Sequence, residues 1–261
     1  MTQIVVDGLT KTFGETVALS DVSFEVPEGE FVIILGVSGS GKSTLLRTMS
    51  GLTDPTEGEV RIDGEPMFGP RPDVAMIFQQ HNIIDDLSAY SNALTGGVDR
   101  TGFLTSVLQL QSTEEKYRAL EALDTVGLLE EAKQKARRMS GGQQQRVGIA
   151  RALVQEPEVL LADEPVASLD PGSAQDVMGY LRAASEERDL TTFCSLHQVN
   201  IARKFGHRFI GLRDGHKVFD GYREALTIDA VDEIYGDIET EGMFVGAGSD
   251  ADRPEEETAT S

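Results

Sequence analysis

An apolar run that ends in a glycine-rich loop constrains the fold of this 261-residue chain more than any other feature. Every residue from Phe31 to Leu35 is apolar, which is typical of a strand buried on both faces of a parallel sheet. The loop Gly-Val-Ser-Gly-Ser-Gly-Lys-Ser follows at residues 36–43, and a helical pattern begins at Lys42. A buried strand, a flexible loop and a helix in this order predict an α/β fold.

The glycine-rich loop fits the pattern G-x-x-x-x-G-K-[ST], and its chemistry is that of phosphate binding. Phosphate needs many N–H donors at short range, and glycine lets the backbone curl closely around it. The start of the following helix adds free N–H groups and the positive end of its dipole. We expect Lys42 to neutralise the β- and γ-phosphate oxygens and Ser43 to give an oxygen to Mg²⁺. The alternative is a glycine-rich turn that merely precedes a helix. The predicted nucleotide-binding residues of this loop are Gly36, Val37, Ser38, Gly39, Ser40, Gly41, Lys42, Ser43 and Thr44.

A second apolar run, Val159 to Ala162, ends in the two acids Asp163 and Glu164. If this strand lies next to the phosphate-loop strand, Asp163 comes close to Mg²⁺, directly or through water. Glu164 then faces the γ-phosphate, where a carboxylate can orient and deprotonate the attacking water. A positioned general base typically contributes ~10²–10⁴-fold. An ordinary acidic turn before Pro165 is the alternative. The presence of the phosphate loop in the same chain favours the functional interpretation.

The charge balance excludes one class of function. The chain has 44 acidic and 23 basic residues, a net charge of -21, so it lacks the basic surface that nucleic-acid binding requires. An acidic tail at residues 249–261 explains part of this charge. We prefer a surface adapted to a high-salt cytoplasm for most of it, because the acids are spread along the whole chain and salt screens their repulsion.

Membrane insertion and secretion are not expected. No apolar run around the first buried strand approaches the ~18 residues that suggest a membrane span. The N-terminus lacks a basic segment followed by an apolar one, so no secretory signal is predicted. We therefore expect a cytoplasmic protein that meets a membrane only through a partner. Cys194 is the one cysteine, which excludes an internal disulfide, and it is expected to be a small core residue.

The middle of the chain differs from its two ends. Short strands are predicted near the N-terminus, at Ile4 to Val6 and Val22 to Val26. From Leu87 to about Gly148 the pattern is mostly helical, with Ser112 or Thr113 as a possible helix cap. Alternating strands and helices then resume. The acidic tail after about Phe244 is expected to be disordered.

The tetrad Ser140-Gly141-Gly142-Gln143, upstream of the Asp-Glu strand, resembles the signature of ABC ATPases. It supplies a second anion cradle, made of a serine hydroxyl, glycine amides and a helix N-terminus. The resemblance implies a homodimer in which Ser140, Gly142 and Gln143 of one copy close over the γ-phosphate held by the other. It also implies a P-loop NTPase (RecA-like) core with an N-terminal antiparallel β subdomain and a helical insertion. A glycine-rich helix start is the alternative for the tetrad alone.

Other landmarks of that family occur in order along the chain. Phe13 resembles the aromatic residue that stacks on adenine, although a core phenylalanine is the alternative. Gln79 resembles the glutamine that contacts Mg²⁺ and water and leads into the helical insertion. Asp170, in Ser-Leu-Asp, resembles the loop that bridges two subunits. His197 resembles the histidine that senses the γ-phosphate. The remaining histidines are expected at the surface: His81, His207 and His216.

A finer resemblance is to the ATPase subunit of phosphonate importers. It is carried by residues 78–82, 162–171, 196–199 and 210–215, and Gln198 is its best discriminator because many importer ATPases have an acid there. Two departures from the wider family, Val37 for proline and Met139 for leucine, place no phosphate-binding side chain in doubt. None of these residues is expected to contact the solute, so the solute is inferred from resemblance alone.

The resemblance implies an ATP-hydrolysing subunit at the cytoplasmic face of the cell membrane, with ATP and Mg²⁺ as cofactors. The implied partners are integral membrane permease subunits and an extracellular solute-binding protein. The ATPase domain is expected over residues 1–243, with a helical subdomain at about 87–148 and a tail at 244–261. Three alternatives stay open: an importer ATPase for polar amino acids or another small solute, a soluble ABC ATPase of repair or translation, and a non-hydrolysing subunit.

Overall fold

The computed structural model of the chain describes residues 3–79, 82–97 and 112–236. The predicted disordered tail at 244–261 lies outside these residues. Ten strands are found in the described part: β1 Ile4–Phe13, β2 Thr16–Val26, β3 Phe31–Leu35, β4 Glu57–Ile62, β5 Glu65–Pro66, β6 Val74–Ile77, β7 Val159–Asp163, β8 Thr191–Leu196, β9 Arg208–Arg213 and β10 His216–Tyr222. The α-helices of the same part are α1 Lys42–Met49, α2 Ala89–Leu94, α3 Thr113–Thr125, α4 Gly141–Val154, α5 Pro171–Glu187, α6 Val199–Phe205 and α7 Ile228–Tyr235.

Strands β1, β2, β4 and β5 form an antiparallel sheet in the order β2-β1-β4-β5. Strand β1 exposes one face to solvent, so its buried residues Ile4 and Val6 alternate with less buried neighbours. This sheet is the antiparallel N-terminal subdomain that the sequence resemblance implied, and that prediction is confirmed.

The other strands form a six-stranded sheet in the order β10-β9-β3-β8-β7-β6. All neighbouring pairs are parallel except β10 and β9. Strands β3, β7 and β8 are buried at every position, which explains their unbroken apolar runs. Because parallel strands end at one edge of the sheet, the segments that follow β3, β7 and β8 meet there.

The strand order corrects one step of the sequence argument. We supposed that the Asp163 strand lies next to the phosphate-loop strand, and that is wrong, because β8 lies between β3 and β7. Helix α1 follows β3 and packs against both β7 and β8. Ser43 thus reaches Asp163 because α1 packs over β8 and β7, and not because the two strands are neighbours.

Successive residues of β3 point into two different cores. Ile33 and Leu35 pack with the helices on one face of the sheet, together with Cys194. Val32 and Ile34 pack on the other face with α1 and the antiparallel sheet. The predicted core position of Cys194 is confirmed, and burial raises the pKa of its thiol.

The helical pattern predicted for the middle of the chain is found in α2, α3 and the start of α4, whereas residues 126–140 form turns and one short 3-10 helix. Helices α2, α3 and α4 pack on one another. Ser112 is the cap of α3, and its hydroxyl accepts the backbone N–H of Glu115 while the Glu115 carboxylate accepts the Ser112 N–H. Residues 98–111, within the predicted helical span, lie outside the described residues. Among the helices that the structure describes, none is long and apolar enough to cross a membrane.

Candidate functional site

The glycine-rich loop lies at the carboxyl end of β3, in a conformation that two glycines allow. Gly36 has φ 151°, and a Cβ there would lie 2.3 Å from the backbone oxygen of Leu212. Gly41 has φ 105°, and a Cβ would lie 2.6 Å from the backbone oxygen of Ala18. Any other residue would therefore be strained and would clash with backbone. The loop is held between the end of β9 and the β2 strand.

The loop borders a polar cleft of about 290 Å³. Eight of the predicted site residues line it, although they come from three distant parts of the sequence. The cleft residues are Ala18, Ser38, Gly39, Gly41, Lys42, Ser43, Thr44, Gln79 and Glu164. Gly36 and Ser40 are buried and Val37 is half-buried, outside the lining of this cleft.

Lys42 is held inside the loop by backbone oxygens and one carboxylate. Its side chain is 3% exposed, and its ammonium group donates to the backbone oxygens of Gly36, at 2.8 Å, and Val37, at 3.0 Å. The carboxylate of Glu164 lies 3.5 Å from the same nitrogen. Burial lowers the pKa of Lys42, and the negative charge of Glu164 opposes that shift. A buried ammonium with one carboxylate partner is well suited to bind a phosphate anion.

The two acids after β7 have different surroundings. Asp163 is buried, and its Oδ1 accepts the hydroxyl of Ser43 at 2.8 Å and the hydroxyl of Ser195 at 3.0 Å. Glu164 is partly exposed to the cleft and has φ 46°, an uncommon conformation for a side-chain-bearing residue. Its backbone N–H donates to the Ser195 hydroxyl at 2.9 Å. Ser195 thus links both acids and supports the strained peptide of Glu164.

Sequence reasoning missed Ser195. It belongs to no motif, and serine in a strand is ordinary. The one available signal was its position two residues before His197, since alternate residues of a strand point to the same face. The pairing of Ser195 with Asp163 across β8 and β7 gives it its importance.

Residues in the cleft and directly beside it fit a magnesium ion. The Ser43 hydroxyl and the Asp163 carboxylate, 2.8 Å apart, are the hard oxygen ligands that Mg²⁺ prefers, and Gln79 lines the same cleft. No cluster of three or more His, Cys, Asp or Glu side chains that would hold a metal is found in the described ranges. Mg²⁺ in phosphate sites uses one or two carboxylates plus substrate oxygens, so the pair is a sufficient protein contribution.

The Ser140 cradle lies apart from this cleft. Ser140 is exposed and begins α4, where its hydroxyl accepts the N–H of Gln143 and the Gln143 side chain accepts the N–H of Ser140. Gly142 is buried, and a Cβ there would lie 3.2 Å from Cβ of Ser173 at the start of α5. Neither Ser140, Gly142 nor Gln143 lines the cleft around Lys42.

The remaining predicted residues lie at the surface. Phe13 is 53% exposed, with the ammonium of Lys11 4.9 Å from its ring centre, so the alternative of a core phenylalanine is wrong. Asp170 is exposed and caps α5, and its hydrogen bonds with Ser173 lower the pKa of its carboxyl. His197 is exposed directly after β8. His207 and His216 are exposed as predicted, whereas His81 lies outside the described residues.

Comparison with known proteins agrees with this architecture. Residues 19–167 match the family described as ABC transporter. The chain is 62% identical to the phosphonates import ATP-binding protein PhnC of Halobacterium salinarum, covering 97% of this chain and 90% of that protein. It is 46% identical to the PhnC of Thiobacillus denitrificans, covering 90% and 93% of the two chains.

Solved structures give the same result. The dimeric structure of MJ0796, a bacterial ABC transporter cassette, matches with a TM-score of 0.73 and 37% identity, over 84% of this chain and 98% of that one. The described sheets, the glycine-rich loop after β3 and the helical middle are thus those of an ATP-binding cassette. The chain therefore belongs to the ABC transporter family and, within it, groups with the ATP-binding proteins that are named for phosphonate import.

Proposed function

We propose that the chain hydrolyses ATP as one of two cassettes that drive the import of phosphonate or a related phosphorus oxyanion. One observation carries the enzymatic part. Lys42, Ser43 and Glu164 line one cleft, where Lys42 pairs with Glu164 and Ser43 is hydrogen-bonded to the buried Asp163. We propose an ATPase domain over residues 1–243 with a helical subdomain at about 87–148.

The proposed reaction breaks the bond between the γ-phosphorus and the β,γ-bridging oxygen. A water oxygen bonds to the γ-phosphorus, and ADP and inorganic phosphate are the products. Glu164 orients that water and accepts its proton. In the structure Glu164 pairs with Lys42, so an arriving γ-phosphate would compete for the lysine and free the carboxylate for the water. Mg²⁺ bound by Ser43, Gln79 and Asp163 would neutralise charge on the β- and γ-phosphates.

The second half of the site is proposed to come from another copy. Ser140 and Gly142 lie outside the cleft of their own chain. Ser140, Gly142 and Gln143 of a partner copy would close over the γ-phosphate, and Asp170 would bridge the copies. The exposed ring of Phe13 offers a surface on which adenine can stack, and His197 would contact the γ-phosphate. A similar cassette is described as dimeric with ADP and Pi bound.

The solute and the partners are inferred from the relatives. Phosphonate import is the activity for which the relatives at 62%, 61% and 46% identity are named. We propose permease subunits in the membrane and an extracellular solute-binding protein as partners, with the chain at the cytoplasmic face. The solute is tested by reconstituting the complex in vesicles and comparing phosphonate with polar amino acids as stimulants of ATP hydrolysis. Stimulation by an amino acid alone would favour the alternative solute class.

The enzymatic proposal is tested with Glu164→Gln. This change keeps the shape of the side chain and removes the base, so turnover should fall by about a hundredfold or more while ATP still binds. The closed dimer should then accumulate with ATP and be visible by size-exclusion chromatography. Turnover equal to that of the wild type would remove Glu164 from the role of base. A wild-type chain that binds ATP without hydrolysing it would favour the non-hydrolysing subunit.

A further inference from the structure

The hydrogen-bonded pairing of β3 with β8 ends just before two residues of the proposed site. The parallel register runs from Phe31 opposite Thr192 to Leu35 opposite Leu196. Gly36 and His197 are the next residue on each strand. The chain turns away there, because Gly36 adopts φ 151° and begins the phosphate loop. Backbone groups at such an edge need another partner when they are shielded from water.

The side chain of Tyr235 supplies that partner. Its hydroxyl donates to the backbone oxygen of His197 at 3.2 Å, and Tyr235 is 7% exposed. Burial raises the pKa of the Tyr235 phenol to about 12, and the backbone N–H of Gly36 partly opposes that shift. The hydroxyl thus stays protonated, and able to donate, at any pH at which the protein is expected to work.

The position of this hydroxyl is fixed by the packing of α7, whose last residue is Tyr235. Val231 and Ile234 of α7 are fully buried. A Cβ on Gly211 of β9 would lie 2.4 Å from Cγ1 of Ile234, so only glycine lets the helix come this close. The guanidinium of Arg213 donates to the backbone oxygen of Glu233 at 3.1 Å. Helix α7 is therefore anchored on β9 immediately before the tyrosine.

We propose that Tyr235 is a positioning residue for ATP hydrolysis: its hydroxyl donates to the backbone oxygen of His197 and fixes the backbone that carries the His197 imidazole. The inference rests on the proposed function, because His197 must contact the γ-phosphate for its position to matter. It gives the C-terminal helix a part in catalysis, although none of its residues lines the cleft described above.

The test is Tyr235→Phe, which removes one oxygen and keeps the ring. Turnover is measured per nucleotide-binding site, so that unfolded protein does not contribute. We expect kcat to fall about fivefold, the rate effect of one neutral hydrogen bond, with KM for MgATP within about twofold of the wild type. Tyr222→Phe is the matched control: Tyr222 donates to Glu30 at 2.8 Å, before the start of β3, and its loss should leave kcat unchanged.

A double-mutant cycle separates this role from a purely structural one. If Tyr235 acts through His197, adding Tyr235→Phe to His197→Ala should cause no further loss of kcat. The same fivefold loss in both backgrounds, or a kcat of the single variant equal to that of the wild type, would overturn the proposal. If His197→Ala itself leaves kcat unchanged, the proposed role of His197 fails together with this inference. If His197→Ala is impaired and Tyr235→Phe is not, only the inference about Tyr235 fails.

Discussion

The protein contains two anion cradles at helix N-termini that differ in how they are held. The first, residues 36–43, begins α1; Lys42 bonds the backbone of the loop itself, and Ser43 bonds Asp163 at the end of β7. The second, residues 140–143, begins α4 with its serine exposed. Gly41 gives α1 no side-chain cap, whereas Ser140 and Gln143 cap α4 with each other.

The two cradles differ in whether a side chain caps the N–H groups of the helix, and this suggests different roles for them. The first turn of α1 has N–H groups that no side-chain cap occupies, so they are available to a phosphate within a single chain. The first turn of α4 has a capping box, in which Ser140 and Gln143 bond each other's backbone N–H. On the proposed function, the first cradle would bind a nucleotide within one chain, and the second would close over a nucleotide bound to another copy.

The largest expected effect is on the first cradle. Lys42→Met removes the buried ammonium and leaves Glu164 without its ion-pair partner. Affinity for a non-hydrolysed ATP analogue should fall about a hundredfold, because charged hydrogen bonds to phosphate are lost. Equilibrium binding to the isolated chain measures this. Lys204→Met, which removes an exposed lysine that bonds Gln175, is the control and should bind normally.

A smaller effect is expected from Ser140→Ala, and it should separate the two cradles. Binding of ATP to the isolated chain should be unchanged, whereas turnover falls about tenfold because the partner's hydroxyl contact is lost. The stability cost of the missing cap is about 1 kcal/mol. Ser112→Ala removes the same kind of capping box from α3 and should cost similar stability without slowing turnover. Equal turnover losses in the two variants would mean that Ser140 acts only as a cap.

Ser195→Ala tests the support beneath the first cradle. It removes a hydroxyl that bonds both Asp163 and the backbone N–H of Glu164, so we expect about 1–3 kcal/mol lower unfolding free energy and about fivefold slower turnover. Ser185→Ala is the control. It removes a buried hydroxyl of α5 that lies 2.6 Å from the hydroxyl of Thr192, which is on β8 like Ser195. Denaturant unfolding should give similar costs for both. If the Ser185 variant slows turnover equally, the effect of Ser195 is one of general stability.

The smallest expected effect concerns salt. Two chains of net charge -21 must approach for the second cradle to act, so salt should strengthen ATP-dependent dimerisation about threefold by screening their repulsion. Binding of ATP to one chain should change less, since Lys42 is buried. Sedimentation of Glu164→Gln with ATP, in low and in high salt, measures the dimerisation. Equilibrium binding of an ATP analogue at the same salt concentrations measures the affinity of one chain. The adaptation of the acidic surface to salt would be contradicted by unfolding free energies that are equal in dilute buffer and molar salt.

Much of the site was accessible from local sequence. The loop at 36–43 has the spacing that a phosphate cradle requires, and the two apolar runs end with their strands, at Leu35 for β3 and one residue before Asp163 for β7. The grouping of Lys42, Gln79 and Glu164 at one cleft followed because parallel strands share a carboxyl edge. The capping serine of α3 was also among the two residues proposed.

The amino-acid sequence by itself thus determined the phosphate loop, the paired acids, the α/β class and the family. Each of these depends on residues that are close together in the chain. Only the tertiary structure decided that β8 separates β3 from β7, that Ser195 links Asp163 to Glu164, and that Tyr235 bonds His197. These are contacts between residues 31 or more positions apart. They depend on the order of strands in the sheet and on where α7 packs, which no single segment of sequence specifies.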